Sequence, residues 1–306
     1  MEINTNKISF SVCIPVYNFS ILDAVIELHK QSEQTGFSFE ILVIDDCSAS
    51  FKEENRKIQS LSNVRYIELE ENIGRSAIRN KLAEYAQYSY LIFMDCDIIV
   101  HNPDYIQNYL NEIPFEVVIG GCGYSDTPPK DKINRLRWEY GISRETTSAS
   151  LRNKNPYKSF STFNFMIRKD IFDKIRFDES ISGYGHEDTF FGWDLKKQNI
   201  HIKHIDNQIL HISLVDSSIF ISQVKNSIRN LWILYMNIPE KTKFAEDNKL
   251  LHHYLIIRKY HLCFLISLFS KLFRQIIFKN LISDKPNMRL FDLYRLTILN
   301  EIAAKS

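Results

Sequence analysis

The chain has 306 residues, of which 44% are hydrophobic and 25% are charged, a composition that predicts an ordered globular protein and excludes a disordered one. The net charge of +1 is unevenly divided, because residues 241–306 carry 12 Lys/Arg and 5 Asp/Glu (+7), which leaves 26 and 32 (−6) for residues 1–240. The five cysteines show no CxxC spacing and the first residues show no signal-peptide pattern, so we expect reduced thiols and a cytoplasmic location.

Short β-rich runs alternate with helix-like segments over roughly the first 120 residues. The strand-like runs are residues 8–16, 40–44 and 64–69, and the run from Tyr90 that ends in Asp95-Cys96-Asp97. A helix that follows the third run is predicted to have Ser76 as its N-cap. Strands separated by helices imply βαβ units and a mainly parallel sheet, whose ligands bind at the carboxyl ends of the strands.

Polar side chains follow these strands where each of them ends. The topology brings Asn18, Asp46 and Asp97 to one rim of the sheet. Ionised carboxylates such as Asp95 and Asp97 are costly beside apolar residues unless something positive neutralises them, which indicates a bound divalent cation or a cationic partner, with a metal and a phosphate favoured. No GxGxxG or GxxxxGK[ST] motif occurs, so phosphate must be held in another way.

Four segments in order carry a recognisable pattern. They are residues 12–18 (VCIPVYN), 41–48 (ILVIDDCS), 72–75 (NIGR) with Arg79-Asn80, and 93–97 (FMDCD). This set resembles the family-2 glycosyltransferases of the GT-A fold, and the resemblance continues through residues 164–167, 177–179 and 183–189 to about Leu214. It implies an α/β catalytic domain at residues 1–215, with a mainly parallel, Rossmann-like central sheet. Its nucleotide-sugar half would be about 1–100 and its acceptor half about 101–215. Beyond the resemblance, the helical periodicity after about residue 216 predicts a helical C-terminal region at 216–306.

The resemblance also implies a donor site. Asp46 and the turn Pro15-Val16-Tyr17-Asn18 would form the nucleoside pocket, with a UDP-sugar as the favoured donor. Asp97 would ligate Mn²⁺ or Mg²⁺, and Asp95 would face the ribose or the metal's outer shell. Cys96, between them in the sequence, would also contact the nucleotide-sugar. Arg75 and Arg79 would add positive charge near the diphosphate, with a solvated helix face as the alternative for both.

An acceptor site is implied farther along the chain. Asp188 would be the general base, ionised at neutral pH, and Glu187 would bind the acceptor, in a single displacement that inverts the anomeric carbon. The alternative for this acidic pair is a capped helix and nothing more. Asn164 is expected to line the acceptor site, and His211 is either a further metal ligand or a hydrogen-bonded core residue.

The C-terminal region is apolar and basic, above all in residues 251–282. Its longest uncharged stretch, Tyr260 to Ser270, has 11 residues and is shorter than the roughly 20 that a membrane-spanning helix needs. We therefore expect no transmembrane anchor. The segment is predicted either to lie on a membrane surface, on the inner face of the cytoplasmic membrane near a lipid-linked acceptor, or to pack on the catalytic domain or on a second subunit of a homo-oligomer.

The resulting hypothesis is a metal-dependent, inverting glycosyltransferase that extends a glycan or lipid-linked acceptor in polysaccharide synthesis, with no nucleic-acid partner. One alternative is a sugar-phosphate nucleotidyltransferase, which would be expected to show a glycine-rich basic phosphate loop near its N-terminus. Another alternative is a non-catalytic glycan-binding homologue, which would be expected to have lost Asp97 or Asp188, and both are present.

Overall fold

A computed structural model describes residues 8–181 and 183–306, and the chain divides into two units. We call them the sheet unit and the helical unit. The sheet unit comprises residues up to Tyr124, Thr146–Ser180 and Glu187–Ser213, and the helical unit comprises Ser125–Glu145, Ile181–His186 and Leu214–Ser306. The division differs from a single boundary after residue 215, because two earlier segments group with the C-terminal helices.

All the described strands belong to the sheet unit. They are β1 (Ser9–Val16), β2 (Ser38–Asp45), β3 (Val64–Glu68), β4 (Tyr90–Met94), β5 (Ile98–Ile99), β6 (Val117–Ile119), β7 (Cys122–Gly123), β8 (Asn164–Arg168), β9 (Ile202–His204) and β10 (Ile209–His211). Seven of them form one sheet in the order β3-β2-β1-β4-β8-β6-β9, and the others form a small sheet in the order β5-β10-β7. In the large sheet only β8 runs antiparallel to its neighbours, β4 and β6, so the predicted mainly parallel sheet is confirmed.

The α-helices of the described residues are α1 (Leu22–Gln34), α2 (Lys52–Asn55), α3 (Arg75–Tyr85), α4 (Tyr105–Leu110), α5 (Arg135–Tyr140), α6 (Ala149–Arg152), α7 (Lys169–Ile175), α8 (Glu187–Lys197), α9 (Ser217–Asn237), α10 (Lys241–Asp247), α11 (Lys249–Lys259), α12 (Cys263–Leu281) and α13 (Met288–Ala303). The helical unit contains α5 and α9 to α13. The prediction that Ser76 caps α3 is wrong, because α3 begins at Arg75 and its N-cap is Gly74, with a φ of 86° that suits glycine.

The core of the sheet unit fixes where the strands end. Phe93 of β4 stacks on Phe165 of β8 and on Phe172 of α7, with ring centroids 5.0 Å and 5.2 Å away. Phe191 of α8 joins the same cluster, and Leu82 of α3 is fully buried in it. Strands that are covered on both faces read as continuous apolar runs, so the first polar residue after each run marks the edge of the core.

The helical unit is built almost entirely of α-helices, as the periodicity after residue 216 predicts. α12 packs on α13, and Ser270 and Arg274 both bond to the carboxylate of Glu301, at 3.3 Å and 3.1 Å. Within the described residues, no helix by itself is long and apolar enough to cross a membrane, although α11 and α12, which meet at a bend of 114°, meet that criterion as a pair.

Candidate functional site

Hydrogen bonds connect the turn after β1 to the loop after β2. The side-chain oxygen of Asn18 accepts hydrogen bonds from the backbone N–H groups of Ala49 and Ser50, at 2.7 Å and 3.1 Å, and the Asn18 N–H donates to Ser48 Oγ at 2.8 Å. Asn18 has a φ of 52°, a conformation that asparagine tolerates better than most residues. Pro15 and Val16 end β1, and Tyr17 is half exposed. The predicted turn therefore forms a fixed rim beside the end of β2.

Asp46 joins the end of β2 to the loop before α3. Its two carboxylate oxygens accept the N–H groups of Ile73 and Gly74, at 2.7 Å and 3.0 Å. Each oxygen has a second lone pair, so the predicted contact with a nucleobase stays compatible with this geometry. The neighbouring Asp45 is fully buried and accepts hydrogen bonds from Ser48 N and Tyr66 Oη, which makes it the turn-forming member of the pair.

Two arginines of α3 lie among the acidic residues. Arg79 Nη2 contacts Asp95 Oδ1 at 2.5 Å, and Arg75 Nη1 lies 3.8 Å from Glu187 Oε1. The Arg79 side chain is 2% exposed, so the solvated-face alternative is wrong for Arg79, whereas Arg75 is half exposed. The first turn of α3 thus places two positive charges between the acids that follow β4 and those that begin α8.

The segment Asp95-Cys96-Asp97 contains three groups with different electrostatics. Burial raises the pKa of Asp95, and the charges of Arg79 and Arg75 offset this only in part. Burial and the charge of Asp97 raise the pKa of the Cys96 thiol to about 12, against a hydrogen bond with the Tyr17 backbone, so Cys96 is neutral and lies beside the β1 turn. Burial acts to raise the pKa of Asp97, but the hydrogen bond and charge of His211 outweigh this effect, so the pKa of Asp97 is lowered overall.

Asp97, the predicted metal ligand, lies beside His211, which was predicted to be either a further metal ligand or a core residue. His211 Nε2 is 3.2 Å from Asp97 Oδ2. The small sheet brings them together, because β10 pairs with β5 in the register His211 to Ile98 and the Ile212 N–H donates to Asp97 O at 3.1 Å. The ring centroids of Tyr124 and Phe163 each lie 5.3 Å from that of the imidazole, and no pattern in the sequence indicated these two residues.

The donor set of this pair fits a divalent cation. The carboxylate oxygen Asp97 Oδ2 and the imidazole nitrogen His211 Nε2 are ligands that suit Mn²⁺. Residues 8–181 and 183–306 contain no cluster of three or more His, Cys, Asp or Glu that could hold a metal. Further ligands would therefore come from substrate phosphate and water, as is usual for cations that act on phosphates.

Asp188 lies in the first turn of α8 and is only partly exposed. Its Oδ1 accepts the Thr189 N–H at 2.6 Å. Burial, followed by the charge of Glu187, raises the pKa of Asp188 to about 7, against the opposing charge of Arg79. With this pKa Asp188 is partly ionised at neutral pH, which differs from the expected ionised carboxylate. A pKa near the working pH is the value that suits a general base.

Asn164 occupies a different kind of place from the other candidates. It is 1% exposed, and its Oδ1 accepts the hydroxyls of Tyr105 and Tyr109, both at 2.6 Å. Its Nδ2 donates to Gly121 O and Asn207 O, at 3.0 Å and 2.8 Å. All the hydrogen-bonding capacity of the amide is used within the protein, which weighs against the predicted contact with an acceptor.

Comparison with known proteins gives a family match. The family model described as Glycosyl transferase family 2 matches residues 11–176. The chain is 25% identical over 235 residues to the chondroitin synthase of Escherichia coli and 24% identical over 233 residues to the hyaluronan synthase of Pasteurella multocida. These alignments cover 66% and 65% of this chain but only 34% and 24% of the relatives, so the chain spans about a third or less of their length.

Solved structures share the fold. A mannosyltransferase from Pyrobaculum calidifontis, in complex with GDP-Man and Mn²⁺, has a TM-score of 0.60 at 12% identity and covers 97% of this chain and 86% of its own. Residues 1–349 of S. aureus TarS, in complex with UDP-GlcNAc, have a TM-score of 0.53 at 17% identity and cover 97% and 92%. At these identities the likeness concerns the fold alone, and it agrees with the GT-A architecture.

Proposed function

Because this chain belongs to glycosyl transferase family 2, we propose that it is an inverting glycosyltransferase that moves a sugar from a nucleotide-sugar, with a UDP-sugar favoured, to a glycan or lipid-linked acceptor. One observation carries the proposal: Arg79 of α3 contacts Asp95 at 2.5 Å, and Arg75 of the same helix lies 3.8 Å from Glu187, the neighbour of Asp188. A candidate leaving-group site and a candidate base are thereby joined within one unit.

The donor would lie along the rim formed by the β1 turn and the β2 loop. Pro15 to Asn18 and Asp46 would surround the base, with Tyr17 exposed for stacking. Asp95 and Cys96 would face the ribose side, and Arg75 would reach the diphosphate, since its guanidinium is half exposed. The charge of Arg75 already acts on Asp95 and Asp97, so it lies near the place where the leaving group would gain negative charge.

Asp97 and His211 would hold a divalent cation, with Mn²⁺ preferred because of the imidazole ligand. When bound, such a cation supplies positive charge that offsets the charge on the departing diphosphate.

Asp188 would remove the proton from the acceptor hydroxyl as that oxygen attacks the anomeric carbon. A single displacement of this kind inverts the configuration and requires no protein nucleophile. Glu187 would contact the acceptor and, by its charge, help keep the pKa of Asp188 near 7. The relatives named as chondroitin and hyaluronan synthases support an acceptor that is a growing polysaccharide.

Release of free nucleoside diphosphate from a panel of nucleotide-sugars, with and without Mn²⁺, tests the proposal. We expect UDP release that depends on Mn²⁺ and rises with acceptor. A sugar-phosphate nucleotidyltransferase would instead consume sugar phosphate and liberate pyrophosphate. A glycan-binding homologue would release nothing, and either result would exclude the proposed activity.

The assignment of Asp188 is tested by Asp188→Asn, which keeps the oxygen that accepts the Thr189 N–H and removes the base. We expect kcat to fall by about 10²- to 10⁴-fold with little change in UDP affinity. Asp194→Asn is the matched control, because Asp194 lies on the same helix and is paired with Lys197 on the surface. Turnover by Asp188→Asn at the rate of Asp194→Asn would show that another group is the base.

A further inference from the structure

Helix α12 has two faces of opposite character. Its buried residues, Ile266, Ser270, Ile277 and Leu281, recur at spacings of four and seven and form the side that packs on α13. The opposite side carries large apolar side chains that stay between 46% and 65% exposed; these are Phe264, Leu265, Leu268, Leu272 and Ile276. An exposed apolar stripe of this length is unusual for a surface that faces only water.

Charge surrounds this stripe and has one sign. Residues 248–283 contain six Lys/Arg and no Asp or Glu. Lys271 and Lys279 of α12 are exposed, as are Arg258 and Lys259 at the end of α11, whereas Arg274 is paired with Glu301 of α13. Apolar side chains flanked by exposed basic residues are the composition that binds the interface of an anionic bilayer, where the apolar face enters the acyl boundary and the cations meet lipid phosphate.

We propose that the stripe Phe264, Leu265, Leu268, Leu272 and Ile276, with its flanking basic residues, docks the protein on an anionic lipid surface with α12 lying in the plane of the interface. The charge pattern favours lipid over a second copy of the chain. In a two-fold contact the same patch meets itself, so basic residues would face basic residues with no acidic partner from residues 248–283. This inference does not depend on the proposed transfer reaction.

Sedimentation with vesicles tests the proposal on the full chain. We expect the protein to bind vesicles of phosphatidylcholine with 30% phosphatidylglycerol, to bind pure phosphatidylcholine much more weakly, and to lose affinity as salt rises, as an electrostatic contribution requires. The triple variant Leu268→Ser/Leu272→Ser/Ile276→Ser is expected to bind at least about tenfold more weakly. These side chains are exposed, so the variant should keep the thermal unfolding midpoint of the wild type.

Two controls distinguish binding by this surface from non-specific hydrophobic adsorption and from non-specific electrostatic attraction. Ile26→Ser/Leu151→Ser removes apolar side chains of similar exposure outside the helical unit and should leave vesicle binding unchanged. Lys271→Gln/Lys279→Gln should weaken binding to anionic vesicles by roughly fivefold per lysine, whereas Lys57→Gln/Lys154→Gln, which removes the same charge elsewhere on the surface, should not.

The proposal is overturned if the wild type fails to bind anionic vesicles, or if the triple serine variant binds them as well as the wild type does. It is equally overturned if the control variants lose as much affinity. Light scattering completes the test: a wild-type dimer that becomes monomeric in the triple variant, without vesicle binding, would assign the stripe to a second copy of the chain. Because vesicle binding is measured without turnover, a failure here leaves the transferase proposal untouched.

Discussion

Asp188, Glu187, Arg75 and Arg79 form a set in which each charge alters its neighbours. The charge of Glu187 raises the pKa of Asp188, and Arg79 opposes it. Arg75 contacts Glu187 at 3.8 Å and also lowers the pKa values of Asp95 and Asp97. The pKa of Asp188 lies near 7 because burial and one like charge outweigh the hydrogen bonds from Thr189 and the charge of Arg79, and the burial of these groups cannot be derived from the motif alone.

The first prediction concerns pH. Asp188 must be deprotonated to act as a base, and burial and Glu187 raise its pKa to about 7. At saturating Mn²⁺ we therefore expect kcat/KM to be level above pH 7 and to fall about tenfold per unit below it. A pH profile from 5 to 9, measured by UDP release, checks this fall, which is the acidic limb of the profile. An acidic limb centred near pH 4, the ordinary range of an aspartate, would contradict the assigned environment.

Glu187→Gln tests whether the charge of Glu187 helps to raise the pKa of Asp188. Removal of the Glu187 charge lowers the pKa of Asp188, because that charge is the second largest contribution that raises it. The acidic limb should then move to lower pH, whatever happens to the height of the profile through lost acceptor contacts. A limb that stays in place or moves upward would mean that Glu187 does not act on the base electrostatically.

The second prediction concerns the cation. His211→Ala removes one of the two proposed ligands, so we expect the Mn²⁺ concentration needed for half-maximal activity to rise by at least about tenfold. His211→Asp should shift the preference from Mn²⁺ toward Mg²⁺, since an oxygen replaces a nitrogen ligand. His201→Ala is the control, because the His201 ring is 85% exposed and lies beside Glu116. Equal Mn²⁺ dependence in His211→Ala and the wild type would exclude His211 as a ligand.

At the scale of elements, the long apolar strands were predictable and the short ones were not. The first three predicted runs differ from β1, β2 and β3 by no more than two residues at either end, and the fourth begins with β4 at Tyr90, because buried parallel strands show as uninterrupted apolar runs. β5, β7 and β10 have two or three residues each, too few to show any period, yet their pairing is what brings His211 to Asp97. The chain order of these two residues was visible in the sequence, but their contact depends on register.

Asn164 shows that the place of a residue in a motif does not by itself establish contact with a ligand. Its place in the family-like motif at residues 164–167 suggested a ligand contact, whereas its four hydrogen bonds connect β8 to α4 and to the segments at Gly121 and Asn207. A Cβ on Gly120 would lie only 2.5 Å from Asn164 Nδ2, so the network also explains a glycine. A polar residue in a motif can stabilise the fold instead of contacting a ligand, and only its hydrogen-bond partners distinguish these two roles.

The third prediction follows from this network. Asn164→Ala leaves buried hydroxyl and carbonyl groups without partners, so we expect the free energy of unfolding to fall by about 3 kcal/mol, measured by urea denaturation. The exposed Asn111→Ala should change it by less than about 0.5 kcal/mol. In the folded fraction of Asn164→Ala, the KM for acceptor should stay near the wild-type value. A large rise in that KM with little loss of stability would restore the acceptor-binding role.

At the scale of the molecule, charge and helical periodicity predicted a basic, helical C-terminal region, and the structure contains α9 to α13 there. Composition could not show that residues 125–145 and 181–186 belong to the same unit, because grouping depends on contacts between distant segments. All the candidate donor, metal and base residues lie in the sheet unit, while the exposed apolar stripe lies in the helical unit. The two proposed roles are therefore separable by experiment.

The last prediction uses this separation. At 100 times its dissociation constant, UDP with Mn²⁺ should stabilise the structure that binds it by about 2.7 kcal/mol. Amide hydrogens that exchange only when this structure opens should therefore exchange about 100-fold more slowly. The slowed amides should include those of Asn18, Ile73, Gly74 and Ile212, whose N–H groups bond within the candidate site. Amides of α12 should exchange at nearly the same rate with and without ligand. Asp97→Asn should abolish the Mn²⁺-dependent part of the protection, and protection confined to the helical unit would show that the donor binds somewhere other than the rim of the large sheet.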